Sequence, residues 1–285
     1  MQAKMRRKSV NNAMPYTRIQ PPSVQQHKIT TAFATDVPIK LFHALVSCRL
    51  SPSSRKMPML TIVSRCWLCQ QPLYHPKHGI CCYCRRNLPP LPPCCPCCGL
   101  PSNNRVLLCG RCLSNPPPWG SITFVSDYSP PLNQLIKRLK FSGVTPLAPV
   151  LARLLLLRWL DEWRMGKVIK PDRIISVPLH RWRCWRRGYN QTDLLARPLA
   201  HWLGCHYSNM TLQRIRATPA QQQLNAAARR KNMRGAFRCR ETVRGQHIAL
   251  LDDVVTTGST LNEIAKLLWG QGIASLQVWC LCRTL

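Results

Sequence analysis

The chain has 285 residues, with 41 Lys and Arg against 10 Asp and Glu, a formal charge of +31. That excess points to polyanionic partners such as nucleic acid or anionic lipid, or to phosphorylated ligands. Its length suits two domains and a tail, and no apolar run is long enough to span a bilayer: the best, 150–160, is broken by Arg153 and Arg158.

Residues 1–58 are polar, basic and punctuated by proline, with Asp36 as their one acid. They sustain no helical or strand period and are expected to be disordered. The positive charge beyond them is spread along the chain and forms no single patch. Met59 opens directly onto the first cysteine pair and is a plausible true start. No secretory signal is recognised, so the 17 cysteines argue for a cytoplasmic protein with metal ligands and free thiols, not disulfides.

Four Cys-x-x-Cys knuckles follow: Cys66 with Cys69, Cys81 with Cys84, Cys95 with Cys98, and Cys109 with Cys112. The tight turn of a knuckle aims two thiolates at one metal, and two knuckles complete a tetrahedral zinc shell. Four knuckles make two structural four-cysteine sites, a double zinc-ribbon module over 59–118. Sequential pairing is the simpler assignment, and the spacing leaves interleaving open. Cys82, Cys94 and Cys97 blur the register; Cys95 with Cys98 is preferred to Cys94 with Cys97 because Gly99 follows it. Gly110 likewise follows a knuckle cysteine. A full four-cysteine shell leaves no open position, so the module is structural or a docking surface.

Three prolines, Pro116 to Pro118, close the module, and 119–285 alternates strand and helix patterns. A strand is expected over 122–128. Apolar residues at 132, 135, 136 and 139 predict a helix over 132–141, with Lys137, Arg138 and Lys140 on its solvated face. A second helix is expected over 146–163. A buried strand over 173–178 then feeds a basic loop, Leu179 to Asn190, and a helix over 190–203. Such a junction suits a phosphate, because Arg187 offers a bidentate fork and Gly188 lets the backbone approach closely. The plainer reading is an Arg/Trp surface, or single-stranded nucleic-acid binding through Trp182 and Trp185. The long basic segment from Leu212 through Arg214, Arg216 and Gln221 to Phe237 suits a lid. An apolar strand over 275–282 completes a mostly parallel α/β sheet, with ligand loops at the strand C-termini.

The most informative stretch is His247 to Thr260. An apolar strand ends in Asp252 and Asp253, passes through Val254, Val255, Thr256, Thr257 and Gly258, and enters a helix at Ser259 and Thr260. Loop amides, hydroxyls and the helix dipole hold a phosphate, while the carboxylates receive sugar hydroxyls. The plainer reading is a helix after a strand, with Ser259 as N-cap. The run from Leu251 to Thr260 resembles the signature of the type I phosphoribosyltransferases, which bind 5-phosphoribosyl-1-pyrophosphate (PRPP). That resemblance implies that Asp252 and Asp253 contact the ribose 2′ and 3′ hydroxyls and Mg²⁺, and that the turn holds the 5′-phosphate.

The order of motifs narrows this further. Zinc knuckles precede Leu139-Lys140-Phe141, Val177-Pro178, Arg187 to Asn190, Arg214 to Thr218, Gln221 to Leu224, Gly235 to Phe237, and the acidic signature. From about Met59 to Leu285 the chain resembles the ComF/GntX family of bacterial phosphoribosyltransferase-like proteins. Tyr189 stands where many members have Phe, and 1–58 lies outside the pattern. The resemblance implies that Arg187 and Gly188 fall in the pyrophosphate-side loop, and Arg214 to Gln221 in the flexible loop. Members are associated with uptake of external DNA, competence or use of DNA as a nutrient, and GntX proteins with gluconate uptake. Two functions are compatible with this. One is a Mg²⁺-dependent phosphoribosyltransferase, which moves phosphoribose to a nitrogen acceptor and releases pyrophosphate. The other is a non-catalytic zinc-containing adaptor that binds single-stranded DNA or a helicase-like uptake partner.

Overall fold

The computed structural model describes residues 64–216 and 235–285. The expected disorder of 1–58, the start at Met59 and most of the lid, 217–234, lie outside the described residues. Two short helices belong to the cysteine-rich segment, α1 (Cys82–Arg86) and α2 (Gly110–Ser114). Next come β1 (Ser121–Asp127), α3 (Leu132–Phe141), α4 (Leu147–Arg164), β2 (Arg173–Ser176), α5 (Arg181–Arg187) and α6 (Gln191–Leu203). The chain continues through β3 (His206–Tyr207), β4 (Leu212–Arg214), β5 (Phe237–Cys239), β6 (His247–Leu251), β7 (Val254–Val255), α7 (Ser259–Gly270) and β8 (Ser275–Arg283).

The main sheet is parallel throughout and runs β1-β8-β6-β2-β3, with β7 pairing beside the end of β8. Among the described strands only β4 and β5 pair antiparallel, apart from that sheet. Parallel neighbours need crossovers, and the helices between them cover both faces. This explains why β8 is almost continuously apolar. Leu276, Val278 and Cys280 of β8 join Ile248 and Leu250 of β6 in the core under α7, which contributes Leu261, Ile264, Ala265 and Leu268. Cys95, Cys97 and Cys112 enter this same core.

Alternate residues serve the opposite face. There Trp279 meets Trp159 of α4, ring centroids 5.6 Å apart. Gln277 Oε1 accepts both indole N–H groups, at 2.9 Å from Trp279 and 3.2 Å from Trp159. Its amide donates to the Ile169 carbonyl at 2.9 Å, so both ends of this buried side chain are hydrogen-bonded.

Arg173, at the start of β2, anchors the β4–β5 pair. Its guanidinium donates to Gln246 Oε1 at 3.0 Å, to Thr211 Oγ1 at 3.1 Å and to Glu241. Glu241 also accepts from Ser208 and Thr211. Arg173 is buried but Glu241 is 31% exposed, so losing the guanidinium removes a charge-assisted bond without sealing the carboxylate from water, and Arg173→Met is expected to cost about 2 kcal/mol. Urea unfolding measures this, and Arg173→Met/Glu241→Gln should recover most of the loss. A loss in the single variant under about 1 kcal/mol would mean the network is merely exposed charge.

The expected basic loop after β2 is corrected in part. Residues 181–187 form a helix, because His180 Nδ1 accepts the Trp182 N–H at 3.3 Å as N-cap and Gly188 ends the turn at φ 81°. A Cβ on Gly188 would meet no protein atom within 4 Å, so among the protein's own contacts it is the left-handed cap that favours glycine here. Gly110 is corrected too. It opens α2 without a positive φ, whereas Gly99 has φ 71°.

Candidate functional site

The cysteine-rich segment is an internal repeat. Cys66 N–H donates to the Gln71 carbonyl and Cys95 N–H to the Leu100 carbonyl; Gln70 and Gly99 each bond back to the first cysteine. Both turn residues are left-handed, Gln70 at φ 60° and Gly99 at φ 71°. Cys81 and Cys109 sit at the N-caps of α1 and α2. In each half the sulfurs of the four cysteines lie within 4.8 Å of one another, as Cys66, Cys69, Cys81, Cys84 and as Cys95, Cys98, Cys109, Cys112. Sequential pairing is therefore the one the fold brings together, and Cys82, Cys94 and Cys97 fall outside both clusters. Sulfurs about 2.3 Å from a shared tetrahedral ion stand about 3.8 Å apart. The Cys69–Cys81 and Cys98–Cys109 sulfurs are 3.7 Å apart, so each cluster could hold zinc.

Burial raises the Cys66 and Cys95 thiols, but the amides of the knuckles outweigh it and bring them to about 6 and about 7. Burial and then the neighbouring sulfurs raise Cys84 and Cys112. A dication answers such crowding. Metal analysis is expected to find about two zincs per chain, about one in Cys69→Ser, and about two in Cys82→Ser and Cys94→Ser. Loss of zinc in Cys94→Ser would contradict the assignment.

At the C-terminal edge of the sheet a cleft of about 1260 Å³ opens. Its lining includes every residue from Asp252 to Leu261, and, across from them, Arg183, Arg186, Arg187 and Arg214. The turn after β7 ends at Gly258, the N-cap of α7 at φ 73°; this corrects the reading of Ser259 as N-cap. Thr257 Oγ1 receives the Ser259 N–H at 3.4 Å. The first amides of a helix have no partner within it, so this turn offers donors to an anion.

The acid pair is wired into both walls. Asp253 accepts from Lys140 Nζ at 2.8 Å and from Gln191 Nε2, and Arg187 donates to Gln191. Asp252 accepts the Asp253 N–H at 2.8 Å. Burial, and then the charge of Asp253, push Asp252 up to about 7. Burial, and then the Arg183 guanidinium, lower Arg214 to about 10. A bound anion would relieve that second effect. Tyr189 donates its hydroxyl to the Leu139 carbonyl, a bond that Phe could not make, and Asn190 caps α6.

The fold thus gathers Asp252 to Thr260, Arg187 and Arg214 at one cleft. Gly188, which caps α5 between the lining residues Arg187 and Tyr189, is not itself among them. Arg216 is exposed beside the undescribed segment and is not among the lining residues. Sequence reasoning missed Arg183 and Gln191, and it put Lys140 on a solvated face. Lys140 is instead drawn inward by Asp253, a partner far along the chain. Its one sequence signal was its place in the Leu139-Lys140-Phe141 motif.

A parallel sheet bearing this acid pair, hydroxyl turn and helix N-terminus, behind two four-cysteine clusters, defines a phosphoribosyltransferase-like protein with a double zinc ribbon. The chain matches no protein-family model. It is 52% identical over 227 residues to DNA utilization protein YhgH of Salmonella typhi, which spans 80% of this chain and 100% of that protein. Competence protein F of Haemophilus influenzae is 40% identical over 222 residues, 77% of this chain and 96% of that protein. The chain belongs to this DNA utilization and competence family, the ComF/GntX family. Among solved structures, Trypanosoma cruzi hypoxanthine phosphoribosyltransferase is 20% identical, covering 47% of this chain and 64% of that one at a TM-score of 0.27. Leishmania donovani UMP synthase is 17% identical, covering 50% and 24% at 0.27. No helix among the described residues is long and apolar enough to cross a membrane.

Proposed function

We propose that this cleft binds Mg²⁺-PRPP and transfers phosphoribose to a nitrogen acceptor in the use of external DNA. The observation that carries the reading is that one cleft joins the 252–260 acid-and-hydroxyl turn to Arg183, Arg187 and Arg214. The turn would take the 5′-phosphate and the acid pair the ribose hydroxyls, while the arginines would face the pyrophosphate. Two adjacent carboxylates supply the oxygen donors Mg²⁺ prefers, and the ion would add positive charge at the departing pyrophosphate. The nitrogen attacks C1 as the C1–O bond breaks; pyrophosphate leaves with the electron pair, and the nitrogen's proton passes to solvent. Arg183 and Arg187 would stabilise the developing charge. Lys140 offsets the charge of Asp253 and keeps the carboxylates oriented.

A second reading has its own support. Trp185 and Trp182 on α5 are 82% and 56% exposed, and the Arg186 guanidinium lies 5.6 Å from the Trp182 ring. Exposed indoles among arginines stack on unpaired bases. This favours an adaptor for single-stranded DNA or an uptake partner.

Calorimetry with Mg²⁺-PRPP, paired with a pyrophosphate-release assay over a panel of bases, tests the choice. Binding with base-dependent release is the expected result. No PRPP binding, together with salt-sensitive affinity for single-stranded DNA, would overturn it in favour of the adaptor.

A further inference from the structure

We infer that the second cysteine cluster positions the 254–260 turn through Trp119 and Arg283, so that the turn's affinity for an anion depends on the metal state of that cluster. The inference rests on the reading of that turn as the phosphate site.

The Cys109 amide donates to the Cys95 sulfur at 3.4 Å, and the Gly99 amide closes the knuckle on the Cys95 carbonyl at 2.9 Å. Three successive carbonyls then bond to the sheet domain. Pro96 accepts from the Ile122 N–H at 3.0 Å, Cys97 from Trp119 Nε1 at 2.8 Å, and Cys98 from Arg283 Nε at 3.0 Å. The first knuckle lacks this arrangement at the equivalent of Pro96: the Trp67 carbonyl takes the Gln70 side chain of its own turn, at 3.5 Å. The repeat is symmetric in its sulfurs and asymmetric in its attachments.

Both attachments lead on to the anion turn. Arg283 is 6% exposed, and its far nitrogen donates to the carbonyls of Val255 at 3.1 Å, Thr256, and Thr284 at 3.1 Å. One guanidinium therefore ties the knuckle to the backbone just before Thr257 and Gly258. Trp119, 8% exposed, packs its ring on Gly258, where a Cβ would lie 3.2 Å from the ring. Directed carbonyls require a closed knuckle. Four crowded thiols without a cation would open it, releasing both struts and the donors they aim.

The test is hydrogen exchange on the full, zinc-loaded chain, compared with Cys109→Ser, Arg283→Lys and Trp119→Phe, with Mg²⁺-PRPP calorimetry alongside. Amides of 254–260 should exchange about tenfold faster or more in each variant, and PRPP should bind about tenfold more weakly, while α6 keeps its protection. Arg283→Lys and Trp119→Phe should retain both zincs. If Cys109→Ser also loosens α6, the decision falls to those two variants, which keep every cysteine. Exchange at 254–260 within about twofold of wild type in Arg283→Lys and Trp119→Phe would overturn the inference. If the turn loosens as expected but wild type binds no PRPP, the strut stands and the PRPP reading alone fails.

Discussion

Asp252→Asn is expected to make the protein more stable at pH 8 while weakening Mg²⁺-PRPP about a hundredfold or more. Burial and the adjacent Asp253 hold Asp252 at about 7 in the fold, against an ordinary value of 3.8. Between those values the folded chain binds a proton that the unfolded chain has lost, so stability falls as pH rises from about 4 to about 7. Above about 7 the cost of the buried charge is fully present. The amide cannot ionise and escapes it, for a gain on the order of 1–3 kcal/mol, or several degrees in Tm. The advantage of Asp252→Asn should shrink as pH is lowered from 8 to 5.5. Thermal unfolding across that range checks the stability half, and calorimetry the binding half. A variant that loses stability at pH 8 would show that the carboxylate is structural.

Lys140→Met is expected to destabilise the chain by about 3 kcal/mol at pH 8, because it leaves Asp253 buried without its cation. The Lys140 and Asp253 side chains are 17% and 7% exposed, and their atoms are 2.8 Å apart. A solvated lysine would cost next to nothing, so the size of the effect separates the two placements. The double variant Lys140→Met/Asp253→Asn should recover most of the loss, since both halves of the pair are then uncharged. Denaturant unfolding of all four proteins gives the coupling directly. Additive losses would contradict the contact.

Much of this was legible in the residues. The knuckle spacings implied two four-sulfur shells, because a Cys-x-x-Cys turn imposes its own geometry. The helix over 132–141 appeared with its expected bounds because its apolar stripe is local. The run 247–260 specified strand, acid pair and helix entry through adjacent residues alone. What escaped were contacts set by the fold. Lys140 meets Asp253, Gln191 joins Arg187 to that acid, and Arg283 reaches back to Cys98. No local pattern announces partners so far apart. The helix over 181–187 was missed for a different reason. His180 and Gly188 are adequate caps, but arginine and tryptophan gave no apolar stripe between them.

The proposed ligand is a ribose with phosphate at both ends, lying between the 254–260 turn and residues 183–187 of α5. Hydrogen exchange in the presence of Mg²⁺-PRPP, ribose 5-phosphate or pyrophosphate tests it most directly. PRPP should protect both segments. Ribose 5-phosphate should protect 254–260 alone, and pyrophosphate 183–187 alone. Protection by none of the three at 254–260, or protection by PRPP confined to Trp182 and Trp185, would contradict the account.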